Sequence, residues 1–536
     1  MARAGLEALE SNRQAVNDLN VFPIPDGDTG TNMVLTMREA VKRIQDFNGE
    51  HVGEAADELS DGALMGSRGN SGVILSQIWR GLARGLKDKE RFTAQDLAHA
   101  LQESSNTAYK GVITPVEGTI LTVIREGAEE AADAVTKSND LRFILARVVE
   151  RCQQSLDRTP DLLPVLKQAG VVDAGGQGLL HILEGMLGYV HGDIELSVGE
   201  IEAPHLSPQA LAAPAEGLEY PFDVQYILFG NDLDLHSIRE AIDEMGDSTV
   251  VVGDDNTIKV HVHVKDPGVP LSYGIRMGEI ADIVVENMQV QMDTIIGAGT
   301  ASPMTSVESF AAEVNIEPGQ IAVVAVAAGD GIAKIYRSLG ASGIVNGGQS
   351  NNPSTEEIYK VVQEMPTDRV IILPNNKNIF LAAKAARDLS TKEVRVVPTR
   401  SVPHAVSALL SLDRDGDLDM TAEAMEEACD HVSSGEIALA TRSADLHGVT
   451  VAEGEVIGVA NGRLCASSSE ISEVLKCVLD EMDMDERELI TIYYGNEVSE
   501  AEADQMAEDI TSLYPEAEVE ILRGGQSIYQ YILGAE

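Results

Sequence analysis

Two aspartates separated by a single glycine form the segment of this sequence best suited to chemistry. Asp26 and Asp28 follow two prolines in the string N-V-F-P-I-P-D-G-D-T-G-T-N. Such a turn places two carboxylates close together, which is costly unless a cation such as Mg²⁺ neutralises them. The next four residues would offer backbone N–H groups to phosphate at a helix N-terminus: Thr29, Gly30, Thr31 and Asn32. The segment therefore predicts a metal and phosphate site, or alternatively an Asp-rich turn that caps the helix.

Three further glycine-rich loops strengthen the prediction of a nucleotide site. Glycines allow the backbone to approach an anion, and arginine, asparagine and serine side chains supply hydrogen-bond donors. Each loop alone could be a flexible helix connection, but four such loops favour nucleotide binding. The candidate residues are Arg68, Gly69, Asn70, Ser71 and Gly72 in the second loop, Gly118 and Thr119 in the third, and Asp173 and Gly175 in the fourth.

The elements around these loops are predicted to be helices. Apolar residues recur at helical spacing in stretches near 33–44, 73–86, 94–109, 117–135, 142–156 and 178–190, with the glycine-rich loops between them. The loops are predicted at 23–32, 66–72, 111–119 and 173–178. An all-α domain is therefore expected over residues 1–200.

The pattern changes after a Pro- and Ala-rich linker predicted at 201–217. Strands are expected at 224–229, 249–253 and 257–264 with a helix near 235–245, which predicts a small α+β domain over 218–296. A second linker is expected at 297–318. Beyond it strand candidates alternate with helical patterns, which predicts an α/β domain over 319–536. The tetrapeptide G-G-Q-S occurs at 347–350 and again at 524–527, either by chance or because two halves of this domain are related.

The charge excludes several functions. Lys and Arg total 39 and Asp and Glu total 87, which gives a net charge of −48. A chain this acidic is repelled by nucleic-acid phosphates and by anionic membrane surfaces. We expect no direct membrane insertion, because the N-terminus has no signal-peptide core and the apolar runs are short. Four scattered cysteines form no disulfide framework, so a cytoplasmic protein is expected. Neither a P-loop nor a protein-kinase signature is present.

The motifs together resemble a known family. N-V-F-P-I-P-D-G-D-T-G-T-N-M, G-S-R-G-N-S-G-V-I-L-S-Q, P-V-E-G-T-I-L-T-V and V-V-D-A-G-G-Q-G-L-L are similar to the nucleotide-binding domain of dihydroxyacetone kinases, and more specifically to the catalytic subunit of bacterial fatty acid kinase. K-V-H-V-H-V-K-D-P-G at 259–268 resembles the middle domain of that catalytic subunit. N-G-G-Q-S-N-N-P-S-T at 346–355, I-L-P-N-N-K-N-I at 372–379 and G-G-Q-S-I-Y-Q-Y at 524–531 resemble its DegV-like C-terminal domain.

The resemblance implies an eight-helix barrel that binds ATP with two Mg²⁺ ions. Asp26 and Asp28 match the family's metal aspartates, Asn20 is the expected third ligand with Asp18 as the alternative, and Arg68 is expected to supply positive charge. The N-terminal segment usual in the family is short here. The implied reaction phosphorylates a fatty acid held by a DegV-like binding partner, and a homodimer is expected. Alternatives are a dihydroxyacetone-type kinase and a non-enzymatic lipid-binding or scaffold protein.

The middle domain carries a separate candidate metal site. His261 and His263 are two residues apart on a predicted strand, so they share one face, and such spacing suits Zn²⁺. The resemblance places a cysteine where this sequence has Asp223, and aspartate can also ligate zinc. The alternative is a pair of hydrogen-bonded surface histidines.

Overall fold

The structure of the chain is a computed structural model. It describes all residues except 21–26, 46, 48, 50, 113, 193–221, 231–232, 234, 244, 254–256, 266, 288–315, 318, 350, 447 and 485–486, and for part of 222–287 it describes the backbone alone. Both predicted linkers lie largely outside the described residues. The chain divides into two compact units, one formed by residues 1–200 together with 309–536 and the other by residues 201–308.

The N-terminal region is helical. Where it is described, eight of its helices have ten or more residues, and three shorter ones connect them. They are α1 (Ala2–Ser11), α2 (Arg13–Asn17), α3 (Thr29–Gln45), α4 (Val52–Met65), α5 (Gly69–Leu86), α6 (Ala94–Gly111), α7 (Ile120–Ala134), α8 (Leu141–Asp157), α9 (Thr159–Leu162), α10 (Pro164–Ala169) and α11 (Ala174–His191).

The eight long helices close into a barrel. In the order α1, α3, α4, α5, α6, α7, α8 and α11 each helix packs against the next, and α11 returns to α1. One hydrophobic core runs through all eight of them, and it includes Leu9, Met33, Leu75, Ile124 and Leu180. The eight-helix barrel that the resemblance implied is therefore confirmed. Helical spacing alone had predicted six of the eight, because α1 and α4 present many Ala and Gly residues instead of large apolar ones.

The loop predicted at 173–178 is wrong after its first residue, because α11 begins at Ala174. Its glycines serve helix packing instead. A Cβ atom at Gly178 would lie 2.6 Å from Sδ of Met33 in α3, so glycine allows these two helices to approach closely. A glycine-rich segment can belong to a helix when a neighbour occupies the space of its side chains, and sequence spacing does not reveal that neighbour.

Close packing also explains Gly81 in α5. A Cβ atom there would overlap the backbone of Glu103 and Ser104 in α6. Replacing Gly with Ala in an exposed helix interior normally stabilises the helix by about 1 kcal/mol. Because the backbone of α6 must move here, we expect Gly81→Ala to lower the free energy of unfolding by about 1–3 kcal/mol in urea denaturation.

The control for this prediction is Gly111→Ala at the end of α6, where the new methyl group would meet only the side chain of Gln77. That side chain can rotate away, so Gly111→Ala should leave the stability unchanged or raise it slightly. Stabilisation by Gly81→Ala as well would contradict the packing described for α5 and α6.

The middle domain is a four-stranded antiparallel sheet with two helices. Its elements are β1 (Phe222–Phe229), α12 (Leu235–Asp243), β2 (Gly246–Gly253), β3 (Thr257–Val264), α13 (Gly268–Met277) and β4 (Glu279–Asn287), and the strand order is β2-β3-β1-β4. Alternate residues such as Val224 and Val262 are buried in its core. The predicted α+β class is confirmed, and α13 and β4 are additional to the predicted elements.

The C-terminal domain contains two main sheets. A parallel sheet has the order β6-β5-β7-β8, a mixed sheet has the order β13-β12-β9-β16-β14-β15, and β10 and β11 form a hairpin. The domain therefore has the predicted α/β architecture. The elements are β5 (Ala322–Ala327), α14 (Asp330–Ser338), β6 (Gly343–Asn346), α15 (Thr355–Glu364), β7 (Arg369–Leu373), α16 (Phe380–Leu389), β8 (Glu393–Val396), α17 (Val402–Leu410), α18 (Leu418–Asp430), β9 (Ser433–Leu439), β10 (Ala444–Leu446), β11 (Val449–Val451), β12 (Val456–Ala460), β13 (Arg463–Ser468), α19 (Ile471–Glu481), β14 (Leu489–Tyr494), α20 (Glu500–Leu513), β15 (Glu518–Arg523) and β16 (Tyr529–Ala535).

Hydropathy gives no sign of a bilayer-crossing segment in the part of the chain that the structure describes. No helix there combines the length and the apolar character that crossing a membrane requires.

Candidate functional site

The first two predicted loops lie against each other at the starts of two helices. α3 begins directly after Asp28, and α5 begins at Gly69. A Cβ atom built on Gly69 would lie 2.5 Å from Nδ2 of Asn32, which belongs to the first turn of α3. Gly69 also has a φ of +56°, a conformation that favours glycine. Position 69 therefore needs glycine because the backbone turns left-handed while touching α3.

The third and fourth loops meet in the same way. Asp173 caps α11 by accepting a hydrogen bond of 2.7 Å from the N–H of Gly176. Its carboxyl group also accepts the backbone N–H of Ile120, the first residue of α7. Near its start α11 also touches the first turns of α3, through Gly178 and Met33. Helices α3, α5, α7 and α11 therefore all begin at one end of the barrel, and this end gathers the four predicted loops.

Side chains cap three of these four helix starts. Asn17 accepts the N–H of Thr31 at 3.1 Å in α3, Thr119 accepts the N–H of Leu121 at 3.4 Å in α7, and Asp173 caps α11 as described. Among the four starts, all of them described, α5 alone has no side-chain cap. Because the first N–H groups of a helix lack partners within it, the start of α5 is the best placed of the four to bind an anion.

The sequence prediction missed Asn17, although it lies only three residues before Asn20. It is buried, and its Nδ2 donates to Oγ1 of Thr31 at 3.1 Å. Of the two alternative metal ligands, Asn20 lies beside α3, because Oγ1 of Thr29 donates to its Oδ1 at 2.8 Å. The Oδ1 atom of Asp18 accepts a hydrogen bond from Gln14 at 2.7 Å on the exposed side of α2.

Asp26 lies outside the described residues, whereas Asp28 directly precedes α3. Within the part of the chain whose side chains are described, no three His, Cys, Asp or Glu residues are grouped so that they could hold a metal ion. The described oxygen donors beside the start of α3 are the carboxylate of Asp28 and the amide of Asn20.

The C-terminal domain reaches this site through residues 351–355, which we call the docking segment. Nδ2 of Asn352 donates a hydrogen bond to Oδ2 of Asp28. The carbonyl oxygen of Asn352 accepts a hydrogen bond from Nη1 of Arg68 at 2.9 Å, and the same Nη1 lies 2.9 Å from Oε2 of Glu357. Asn352 and Glu357 are neighbours that the sequence prediction did not foresee. Arg68, the predicted source of positive charge, is thus paired with an acidic side chain.

Further contacts fix the docking segment on the second loop. The N–H of Thr355 donates to the carbonyl of Ser67 at 3.0 Å, and the two hydroxyl groups are 2.8 Å apart. Both side chains are fully buried. Asn70 donates to Asn378 at 3.3 Å, and Val73 of α5 packs into a core of the C-terminal domain. The interface is therefore packed and hydrogen-bonded at the same residues that the sequence assigned to nucleotide binding.

The candidate zinc residues occupy matching register positions in the middle sheet. In the β1–β3 pair Asp223 lies opposite His263, and in the β2–β3 pair Asp247 also lies opposite His263. Glu286 of β4 lies opposite Asp223. Directly opposed residues of antiparallel strands share a face, so these positions and that of His261 lie on the face opposite the buried Val262. Asp247 and Glu286 are additional to the residues predicted from sequence.

Both copies of G-G-Q-S line one cavity in the C-terminal domain. This cavity of about 190 Å³ lies at the carboxyl ends of β5–β8 and includes Gly347, Gln349 and Gln526 among its lining residues. One copy follows the parallel β5–α14–β6 unit and the other follows the parallel β14–α20–β15 unit. The shared position after a βαβ unit favours two related halves over a chance repeat.

Comparison with known proteins identifies the family. The FakA-like C-terminal model, for fatty acid kinases, matches residues 322–536, the DAK2 domain matches 23–188, and the FakA-like middle domain matches 219–295. Protein YloV of Bacillus subtilis is 38% identical over 549 residues, which cover 100% of this chain and 98% of that protein. An uncharacterized protein of Staphylococcus epidermidis is 37% identical over 548 residues, 99% of this chain and 97% of that protein. The chain therefore belongs to the FakA-like fatty acid kinase family.

Solved structures of the DegV family show a weaker likeness. A fatty-acid-binding DegV family protein from Thermus thermophilus matches with a TM-score of 0.31 and 14% identity, over 40% of this chain and 99% of that one. The Streptococcus pneumoniae Fatty Acid Kinase (Fak) B3 protein loaded with linoleic acid matches with a TM-score of 0.29 and 10% identity, over the same shares of the two chains.

The cap of α11 makes a testable prediction about pH. Burial raises the pKa of Asp173 from 3.8 to about 6, although two backbone N–H groups act in the opposite direction. The folded state then holds a proton that the unfolded state releases, so stability falls as the pH rises from about 4 to about 6. Asparagine can accept the same N–H without a charge. We expect Asp173→Asn to be more stable than wild type at pH 7, with a difference that shrinks towards pH 4 in thermal unfolding.

Asp140→Asn at the cap of α8 is the matched control with the opposite sign. Hydrogen bonds from Arg142 lower the pKa of the exposed Asp140, so its stabilisation is present at neutral pH and is lost as the pH falls through its folded pKa. Asp140→Asn should therefore be less stable than wild type at pH 7. Equal pH profiles for the two variants would contradict the burial of Asp173.

Proposed function

We propose that this chain is the ATP-binding catalytic subunit of a fatty acid kinase. It transfers the γ-phosphoryl group of ATP to the carboxylate of a fatty acid held by a DegV-like fatty-acid-binding partner. The observation that carries the proposal is the gathering of four helix N-termini, Asp28 and Arg68 at one end of the barrel. The membership of the chain in the FakA-like family, whose members are described as one component of a kinase with several, supports the same conclusion.

The helix starts answer the electrostatic difficulty of binding ATP on an acidic chain. Each helix N-terminus carries roughly half a positive charge, and four of them meet at this end of the barrel. The triphosphate binds at the uncapped start of α5, where the backbone N–H groups of Gly69, Asn70 and Ser71 and the side chain of Arg68 are the donors. Gly72 lies against Oγ1 of Thr36, which keeps α5 close to α3.

The described residues fit a hard cation. Carboxylate and amide oxygens are the ligands that Mg²⁺ takes from proteins, and Asp28 and Asn20 supply both kinds beside the start of α3. Asp26 completes the proposed ligand set, and two Mg²⁺ ions are proposed. When bound, Mg²⁺ neutralises the charge of the triphosphate in phosphoryl transfer.

The reaction needs few protein groups. A fatty acid carboxylate is ionised at neutral pH, so its oxygen can attack the γ-phosphorus without a general base. A bond forms between this oxygen and phosphorus, the bond to the β-phosphate oxygen breaks, and ADP leaves with the electron pair. The products are an acyl-phosphate and ADP, and no proton is transferred. The chain's own task is to position the triphosphate and to exclude water.

We also propose a cytoplasmic homodimer that acts in phospholipid metabolism, with the acyl chain delivered by the partner. Zn²⁺ in the middle domain is a separate proposal. Its ligands are His261, His263 and Asp223, and the backbone register that brings their positions to one face supports it.

The function is tested by ATP turnover of the full chain with oleate and a DegV-like partner, compared with dihydroxyacetone. We expect turnover only with the fatty acid. Asp26→Ala and Asp28→Ala should each lower turnover by about 100-fold or more, because a single preorganised electrostatic group contributes on that order. Asp133→Ala is the matched control, since this exposed side chain of α7 pairs with Lys137 on the surface of the barrel.

Full activity of either site variant would overturn the metal assignment, provided that circular dichroism shows an intact fold. Turnover of dihydroxyacetone alone would support the other kinase class. Binding of a fatty acid without any ATP turnover would support a lipid-binding or scaffold protein.

The zinc proposal is tested by metal analysis of the purified chain. We expect about one equivalent of Zn²⁺, retained through dialysis, because closed sites with histidine and carboxylate ligands hold zinc firmly. His261→Ala and His263→Ala should lose it, whereas His431→Ala in the C-terminal domain should keep it. A wild-type chain without stoichiometric metal would end the proposal.

A further inference from the structure

Asn352 of the C-terminal domain is built into the candidate site of the helical barrel. Its side chain is 2% exposed. Its amide nitrogen donates to the carboxylate of Asp28, and its backbone carbonyl accepts from the guanidinium of Arg68. One residue from a distant part of the chain therefore contacts both charged groups that the proposed function assigns to ATP and its metal.

The position of Asn352 is fixed by its neighbours in the docking segment. Ser354 and Glu357 form a capping box that starts α15. Oε2 of Glu357 accepts the N–H of Ser354 at 2.6 Å and also lies 2.9 Å from Nη1 of Arg68. The Thr355 contacts with Ser67 hold the following residue against the second loop. Arg68 and Asn352 are thus oriented by a rigid helix start.

The amide oxygen of Asn352 has no hydrogen-bond partner, although it is buried. A buried polar atom without a partner costs about 1–3 kcal/mol. Because the same amide group touches Asp28, a cation held by Asp28 would lie close to an acceptor that lacks a donor. A carboxylate has about four lone-pair positions, so Asp28 can keep the hydrogen bond from Asn352 while it binds a cation.

We propose that Asn352 is a positioning residue of the nucleotide–metal site, so that the site is complete only when the C-terminal domain is docked on the barrel. The proposal rests on the proposed function. Asn352 orients the carboxylate of Asp28, and its amide oxygen gains a favourable partner when Mg²⁺ binds. Because linkage is reciprocal, Mg²⁺–nucleotide binding also stabilises the docked arrangement of the two domains.

The test compares wild type with Asn352→Leu, Asn352→Asp and the matched control Asn351→Leu, all in the full chain. Asn351 is the exposed neighbour in the same segment, and its side chain makes no hydrogen bond to Asp28. Calorimetry measures the affinity for a non-hydrolysable ATP analogue with Mg²⁺, and thermal unfolding is measured in EDTA and in Mg²⁺ with the analogue. Neither readout depends on turnover.

We expect Asn352→Leu to weaken Mg²⁺-dependent analogue binding by about 10-fold or more, the usual effect of removing a residue that orients a metal ligand. Asn351→Leu should change it by less than about 2-fold, far below that effect. Asn352→Asp places two carboxylates together, so it should unfold at a lower temperature than wild type in EDTA and gain more than wild type from Mg²⁺. A purely structural role for Asn352 does not predict this dependence on the metal.

Equal binding by Asn352→Leu and Asn351→Leu would overturn the proposal, and so would an Asn352→Asp variant that gains no more from Mg²⁺ than wild type does. If Asn352→Leu does not fold, the Asn352→Asp arm decides alone. A wild-type chain that binds no Mg²⁺–analogue complex would overturn the proposed function itself, whereas normal wild-type binding with unaffected variants would overturn only the role of Asn352.

Discussion

Closing a ring of helices is the constraint on which the candidate site depends. When neighbouring helices of a barrel are joined by short connections, alternate helices point the same way and begin at the same end. Helices α3, α5, α7 and α11 do so here, and the close approaches of Gly69 to Asn32 and of Gly178 to Met33 show that their first turns touch. The four chemistry-bearing loops lie together because each precedes one of these helices.

This arrangement has an electrostatic consequence. With a net charge of −48 the chain as a whole repels a polyphosphate. Four helix starts concentrate positive partial charge in one place without any basic side chain. Side chains already satisfy three of them, through Asn17, Thr119 and Asp173, which leaves the start of α5 as the one suited to a ligand. The positive potential that a nucleotide needs is therefore a property of the fold more than of the composition.

The docking of the C-terminal domain adds a second layer to the same site. Arg68 and Asp28 each bond to Asn352, and Glu357 pairs with Arg68. These bonds join residues from opposite halves of the sequence, and they lie where the barrel's predicted nucleotide residues are. The C-terminal domain thus belongs to the same compact unit as the barrel, and its docking segment has the position of a site component.

Much of this architecture was predictable from the sequence. Helical spacing predicted six of the eight long helices, and the motifs predicted the other two through the resemblance to a known family. The starts of α3 and α5 were predicted from Thr29 and Gly69, because small and polar residues before an apolar helical pattern are a local signal. The order of strands in the C-terminal domain was less predictable, since β10 to β13 are short and lack a distinct alternation of apolar and polar residues.

The sequence by itself determined the local chemistry: two aspartates around a glycine, four glycine-rich loops, and two histidines on one strand. Tertiary structure alone decided which partners these residues meet. It assigned Asp173 to the cap of α11 and its glycines to helix packing, it turned Asp18 towards Gln14 and Asn20 towards Thr29, and it brought Asn352 and Glu357 to Arg68 and Asp28. The physical reason is that spacing along a chain specifies helices and turns, whereas contacts between distant segments arise only when the ring closes and the domains pack.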